Sequence, residues 1–230
     1  MLWYKAWLET RLRVLIGLGW FGVLVVTMHL IGNRAAPGGP PPAAGFALMA
    51  MSQMVVIASM LAGTGIATQA PFQEIKGLQG STPFTLSLPV SRFQLLAVRA
   101  GLGWLEMAGL TGTFCFANWL GSPWLNVTAI RMLEYAGTLI TCSSALYFTT
   151  VMLATFLNEW RLHGSFIAFA AIWWIPSHTP LPPDADIFRA MGEGSPLIAH
   201  AIPWGTMLVS LALSALLFFA ALMIAQRREY

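Results

Sequence analysis

Charged residues are scarce in this chain, and cysteine is nearly absent. Only 9% of the 230 residues are charged, whereas 57% are hydrophobic, and the mean hydropathy is +0.69. A soluble domain carries about 25% charged residues, so this composition argues against a soluble domain and predicts a membrane protein. The two cysteines, Cys115 and Cys142, fall in apolar runs, and we expect them to pack as small apolar side chains without forming a disulfide.

The sequence also lacks the motifs of common enzymes and nucleotide-binding proteins. No Gly-x-x-x-x-Gly-Lys-Ser/Thr loop occurs, so the chain cannot hold nucleotide phosphates in the P-loop manner. The four histidines are scattered, without the spacing of a zinc site. We therefore expect no catalytic residue, metal or cofactor on this chain. The net charge of +3 is interpreted as a sign of membrane topology, and nucleic acid is not expected as a partner.

Long apolar runs are the dominant feature that is present. A helix needs about 20 apolar residues to cross the hydrocarbon core of a bilayer, and backbone groups in lipid must be hydrogen-bonded within the protein. The runs are continuous and do not alternate with period two, which favours helices over a barrel. The sequence predicts an all-α membrane protein with six transmembrane helices: Val14–Gly32, Ala44–Gln69, Phe93–Gly121, Ala136–Asn158, Gly164–Pro176 and Trp204–Ala225.

The distribution of Lys and Arg predicts how these spans are oriented. Nine of the 12 basic residues fall on one side of the six spans and three on the other, and the basic side is normally cytoplasmic. Both termini are therefore predicted in the cytoplasm. The inner set is Lys5, Arg11, Arg13, Lys76, Arg92, Arg99, Arg161, Arg227 and Arg228, and the outer set is Arg34, Arg131 and Arg189.

The first 13 residues combine aromatic and charged side chains in a way that is typical of an interfacial helix. Trp3, Tyr4 and Trp7 share a face, while Lys5 and Arg11 lie elsewhere, so the segment can lie in the headgroup layer. The alternative is that the basic residues of this segment only set the orientation of the first span. The apolar run that follows is about 18 residues, longer than a signal-peptide core, and we interpret it as a retained first span.

A polar segment broken by prolines, Gly80–Arg92, lies between the second and third spans. Pro83 and Pro89 each fix φ and remove a backbone donor, while Ser81 and Ser91 can cap short helices beside them. We interpret this segment as a rigid cytoplasmic elbow; an ordinary loop that reverses the chain is the alternative.

The whole pattern resembles the permease subunit of type-2 ABC transporters. The resemblance covers nearly all of residues 1–230, as a single transmembrane permease domain without a nucleotide-binding domain. It rests on the basic interfacial start, the six helices, the Gly-Ser/Thr then Leu-x-x-Pro-Val-Ser-Arg motif that ends at Arg92, and the proline-rich loop before the last span.

The resemblance implies function and partners. It implies an exporter in the bacterial cytoplasmic membrane. The transporter would contain two permeases, identical or paralogous. ABC ATPase subunits would bind to them from the cytoplasm and would bind ATP and Mg²⁺. In the family the segment after span two is a coupling helix that docks on the ATPase. Carried over to this sequence, the docking residues are Phe72, Glu74, Lys76, Gly80, Ser81, Pro83, Leu88, Pro89, Ser91 and Arg92.

Glu106 is the most unusual residue within a predicted span. With a rise of about 1.5 Å per residue it lies roughly 20 Å along the third span from Phe93, where an ionisable group is costly and normally faces protein or water. Arg99 is on the same face but two turns away, too far for a direct salt bridge. Glu106 is a candidate pathway or gating residue together with Arg99; a hydrogen bond that ties helices together is the alternative.

The loop before the last span is rich in proline and follows a fifth span that is short for a crossing. The resemblance implies short re-entrant helices here, on the outer side, which shape the exit of the pathway. Non-helical backbone at membrane depth must be covered by protein. The candidate residues of this outer segment are Pro176, His178, Pro182 and Asp184.

Two other functions are compatible with the same residues. A polytopic subunit that does not transport, and instead anchors or regulates an enzyme or a biogenesis complex, would have the same composition. An intramembrane enzyme that uses Glu106 and a histidine would be active without nucleotide. An associated ATPase distinguishes the permease from both, whereas the substrate and the identity of the dimer partner are not encoded in any recognisable motif.

Overall fold

A computed structural model describes residues 14–27, 51–59, 91–121, 127–156 and 184–227, together with Arg11, Leu30 and Pro182. Within these residues the regular structure is entirely helical and contains no strand, which confirms the all-α prediction for this part of the chain. The helices are α1 (Val14–Thr27), α2 (residues 51–59), α3 (Arg92–Gly121), α4 (Ala129–Phe156), α5 (Ile187–Met191) and α6 (Trp204–Arg227).

Two of the described helices are long and apolar enough to cross a membrane. They are Ala129–Leu153 in α4, with 25 residues, and Trp204–Ile224 in α6, with 21 residues. Helix α3 is longer, at 30 residues, but Arg99, Glu106 and several glycines and threonines interrupt its apolar sequence. The count of six spans therefore remains a prediction, and the predicted fifth span, Gly164–Pro176, lies outside the described residues.

Local capping explains where the long helices begin. The Ser91 hydroxyl accepts a hydrogen bond from the Gln94 amide at 3.2 Å, so α3 starts one residue before the predicted Phe93. Helix α4 starts at Ala129, seven residues before the predicted span, because the Thr128 hydroxyl accepts from the Arg131 amide at 3.4 Å and adds a polar first turn. Hydropathy alone finds the apolar part of a helix and misses such a turn.

Helix α4 is the centre of the fold. It packs against α3 and α5, and its most extensive contact is with α6. One apolar cluster joins α1, α2, α3, α4 and α5, with Phe21 and Phe114 in ring contact at 5.2 Å. A second cluster joins the start of α3 to the ends of α4 and α6 around Tyr147. The first cluster packs α3 on α4, and the second packs both α3 and the end of α6 on the end of α4.

In helix α6 small polar side chains face the protein and large apolar side chains face outward, which is the reverse of a water-soluble helix. Its small polar residues Thr206, Ser210 and Ser214, spaced four apart, are at most 5% exposed. Its large apolar residues point away from the protein, and Leu208 and Leu216 are 65% and 68% exposed. Small residues in helix contacts and large aliphatic residues outside are typical of a helix surrounded by lipid.

Candidate functional site

A set of polar contacts links α3 to α4 and lies next to the predicted site residues. The Tyr147 hydroxyl donates to the Ala100 carbonyl oxygen at 2.8 Å, and the Trp104 indole N–H donates to Ser144 Oγ at 2.8 Å. The Ser143 hydroxyl also contacts the Met107 sulfur at 3.0 Å. We call this set the α3–α4 seam: Ala100, Trp104, Met107, Ser143, Ser144 and Tyr147.

The spacing of these residues explains how the seam forms. Ala100, Trp104 and Met107 follow the i, i+4, i+7 pattern of one helix face, and Ser143, Ser144 and Tyr147 occupy a facing stripe of α4. Tyr147 and Met107 are fully buried, so their polar atoms need partners inside the protein. The seam therefore fixes the register of α3 against α4 by hydrogen bonds as well as by shape.

Glu106 and Arg99 flank the seam on α3. Each precedes a seam residue, Met107 and Ala100 respectively, and each is half-buried. Both take part in interactions of their own. They are seven positions apart in sequence and therefore about 10 Å apart along the helix axis. Their role in a pathway or in gating stays a prediction.

Removing the Tyr147 hydroxyl tests how strongly the seam holds the two helices. We expect Tyr147→Phe to lower the free energy of unfolding by about 1 kcal/mol, because a buried hydrogen bond is lost while the ring still fills its site. The measurement is thermal unfolding of the purified protein in detergent. Thr113→Val is the control, since the exposed Thr113 hydroxyl bonds only the Gly109 carbonyl of its own helix; an equal loss in both variants would contradict a special role for the seam.

Only the last two residues of the predicted elbow are described. Ser91 is exposed and caps α3, and Arg92 is the first residue of that helix. The other predicted docking residues lie outside the described residues: Phe72, Glu74, Lys76, Gly80, Ser81, Pro83, Leu88 and Pro89. The elbow ends where a 30-residue helix starts. This connection bears on the docking role that the sequence predicts for the elbow.

The described part of the outer segment is a compact turn with a short helix. The Pro182 carbonyl oxygen accepts from the Ala185 amide at 2.8 Å, and Asp186 caps α5 by accepting from the Arg189 amide at 2.9 Å. Asp184 lies against Gly205, at the start of α6, so closely that a Cβ at that glycine would be 2.5 Å from Asp184 Oδ1. Pro176 and His178 lie outside the described residues, and re-entry into the membrane stays a prediction.

Two residues of α4 hold the segment that follows Asp184. The Tyr135 hydroxyl donates to the Met191 carbonyl oxygen at 3.2 Å. Arg131 donates to the His200 carbonyl oxygen at 2.8 Å and is 3.4 Å from the Glu134 carboxylate. Arg131 and Glu134 are three residues apart on one helix, a spacing that brings their side chains together. The contacts to Met191 and His200 are not predicted by the sequence.

Two structural features that were not predicted do have a signal in the sequence: the close helix contact of α6 and the buried hydrogen bond of Tyr135. The fourfold spacing of Thr206, Ser210 and Ser214 in an otherwise apolar run indicates a face for close helix contact. A tyrosine in an apolar helix, such as Tyr135, indicates a buried partner for its hydroxyl. Neither signal names the partner, because the partners are backbone carbonyls far away in sequence.

Metal chemistry has no support among the residues that the structure describes. No group of three His, Cys, Asp or Glu side chains there could hold an ion. Cys115 and Cys142 are both buried and free, on different helices, as expected for apolar packing residues.

Comparisons with protein-family models, with curated proteins and with solved structures find no match for this chain.

Proposed function

We propose that this chain is the permease subunit of an ATP-driven type-2 ABC transporter that exports its substrate across the bacterial cytoplasmic membrane. Six spans would place both termini in the cytoplasm. A second permease, identical or paralogous, would complete the pathway, and ABC ATPase subunits would bind ATP and Mg²⁺. The proposal rests first on the resemblance of the elbow, Gly80–Arg92, to the coupling segment of that family.

The membrane placement is supported by the outward face of α6. Leu208, Leu211, Leu216 and Phe219 are all more than half exposed. Soluble proteins rarely leave so much contiguous apolar surface in water, whereas a bilayer covers it at no cost. Lipid is therefore the partner that we propose for this face.

One observation carries the coupling role: the elbow ends where α3 begins. Ser91 caps the helix and Arg92 is its first residue, so the last two residues of the proposed docking surface form the start of a 30-residue helix. A push on the elbow would move α3 as a body. The α3–α4 seam would pass the movement to α4, which packs on α6.

Because Glu106 and Arg99 lie on α3, the connection of the elbow to this helix also links them to the proposed ATPase. Both are half-buried on α3 and would shift with it when ATP binding closes the ATPase subunits. A carboxyl and a guanidinium group that move relative to the other helices can change which face of the membrane the pathway opens to. Pro176, His178, Pro182 and Asp184 would shape the outer end of that pathway.

A charge swap in the elbow tests the proposal. The double variant Glu74→Lys with Arg92→Glu keeps the number of basic residues on that side unchanged, so topology is preserved. An acid in the first turn of α3 is also favourable for the helix. We expect at least a tenfold loss of Mg·ATP hydrolysis that copurifies with the tagged protein from its native host in mild detergent, because paired charges at a docking surface become mismatched.

Arg189→Glu is the matched control, because Arg189 is exposed and lies on the predicted outer side. It should leave the copurified hydrolysis unchanged. A chain that purifies intact without any ATPase would contradict the proposal and favour a subunit that anchors or regulates another complex.

A further inference from the structure

Helix α1 packs along α3, and the two helices run in the same direction. A Cβ at Gly17 would be 3.3 Å from Leu110 Cδ1, and the rings of Phe21 and Phe114 are 5.2 Å apart. Both contacts join residues that are separated by 93 positions in sequence. One turn along α1 therefore matches one turn along α3.

This register, continued by one turn toward the start of both helices, reaches Arg13 and Glu106. Arg13 lies outside the described residues, but Arg11 and Val14, on either side of it, are both helical. Residues four apart share a helix face, so a helix continued through position 13 presents that position to α3. Arg11, two residues earlier, belongs to the other side of such a helix and is exposed.

Glu106 lies at a depth where a carboxylate is costly without a partner. The sulfur of the next residue, Met107, is 3.0 Å from the Ser143 hydroxyl, near the middle of the apolar stretch Ala129–Leu153 of α4. An ionisable group at that depth normally pairs with another group or faces water. Glu106 is half-buried and takes part in an interaction. Arg99, the nearest basic residue of α3, is two turns away, whereas an arginine on the facing turn of α1 would be closer.

We propose that Arg13 forms an ion pair with Glu106 and so joins the start of α1 to the middle of α3. A guanidinium group suits this role, because it bonds a carboxylate through two parallel N–H groups and is weakly hydrated. The pair attaches the basic amino-terminal segment to the helix that carries the elbow, in addition to any effect on orientation. The proposal rests on helix register and depth, and it is independent of the proposed function.

Cross-linking in membranes measures whether the two positions are close. Arg13→Cys is combined with Glu106→Cys in a background that carries Cys115→Ala and Cys142→Ala, and a short bifunctional thiol reagent is added. Mass spectrometry quantifies the linked peptides. Arg11→Cys with Glu106→Cys is the matched control, because Arg11 is exposed. We expect about fivefold more cross-link from position 13 than from position 11, since the two positions are on opposite sides of a helix.

Charge reversal tests whether the two residues form an ion pair. Arg13→Glu alone and Glu106→Arg alone should each lower the melting temperature in detergent by about 10 °C, because two like charges then face each other away from water. The double variant should recover about two thirds of that loss, because opposite charges meet again. Arg11→Glu combined with Glu106→Arg makes the same change in net charge and should recover none of it.

Two results would overturn the ion pair. Equal cross-linking from positions 13 and 11 would mean that position 13 does not face α3. Efficient cross-linking without recovery in the double variant would mean that Arg13 and Glu106 are neighbours that do not pair. If a reversal variant fails to fold, Arg13→Gln and Glu106→Gln replace it, and their double variant should be at least as stable as either single variant. None of these measurements involves an ATPase, so their outcome is distinct from that of the proposed function.

Discussion

Ser210→Leu should lower the free energy of unfolding by about 3 kcal/mol, close to the upper end of the usual cost of overpacking. Ser210 is fully buried on the face of α6 that packs against α4. Because the side chain has no exposed surface, there is little room for three more carbon atoms. In a chain of this size the melting temperature in detergent should fall by about 10 °C.

Ala212→Leu is the control for this prediction. Ala212 is exposed on the same helix two residues further on, so the added side chain points away from α4 and enlarges an apolar face that already exists. We expect its melting temperature to stay within about 2 °C of the parent. Equal melting temperatures for Ser210→Leu and Ala212→Leu would mean that the small residues of α6 do not form a close helix contact.

Leu216→Asp should strongly reduce the amount of protein that is stably inserted in the membrane. Leu216 is 68% exposed near the middle of Trp204–Ile224, where lipid is proposed to cover it. A charged residue at the centre of a span costs about 3 kcal/mol, which is on the order of a hundredfold in the insertion equilibrium. The measurement is the fraction of the protein that resists alkaline carbonate extraction from membranes.

Ile198→Asp provides the comparison, because Ile198 is also exposed, at 46%, but lies between α5 and α6 and outside the two long apolar helices. We expect that variant to insert as the parent does. If Leu216→Asp inserts normally and the protein stays folded, water and not lipid covers the outward face of α6.

The sequence predicted the ends of helices best where an apolar run adjoins a residue that starts or caps a helix. The bounds predicted for the third span agree with α3 to one residue, because Ser91 is a helix cap whose effect depends only on neighbours in sequence. The start of α6 was predicted at Trp204, where Pro203 ends the preceding loop and begins the helical hydrogen bonds through its carbonyl oxygen. These signals are local, and so they are visible without a fold.

The hydrogen bonds between α4 and the segment that precedes α6 were not predictable in the same way. Tyr135 and Met191 are 56 residues apart, and Arg131 and His200 are 69 apart. Their pairing depends on how α4 and α6 pack, and the acceptors are backbone carbonyls that every residue possesses. No residue type marks such an acceptor, so a sequence predicts the donor at best.

The candidate site was predicted in outline only. The sequence identified Glu106 and Arg99 as residues that need protein or water around them, and the structure places both half-buried on α3. It did not identify Tyr147 and Trp104, the neighbours that make this face of α3 polar, because aromatic residues in a span are equally typical of the membrane interface. Most of the elbow lies outside the described residues, and its role stays a proposal.

The length of α3 has a geometric consequence. A helix of 30 residues is about 45 Å long, so a rotation of about 5° around its start at Arg92 would sweep the far end through about 4 Å. Glu106, near the midpoint, would travel about half as far. Small angular changes at the Arg92 end of α3 would therefore become displacements of atomic size at its Gly121 end, without any bend in the helix itself.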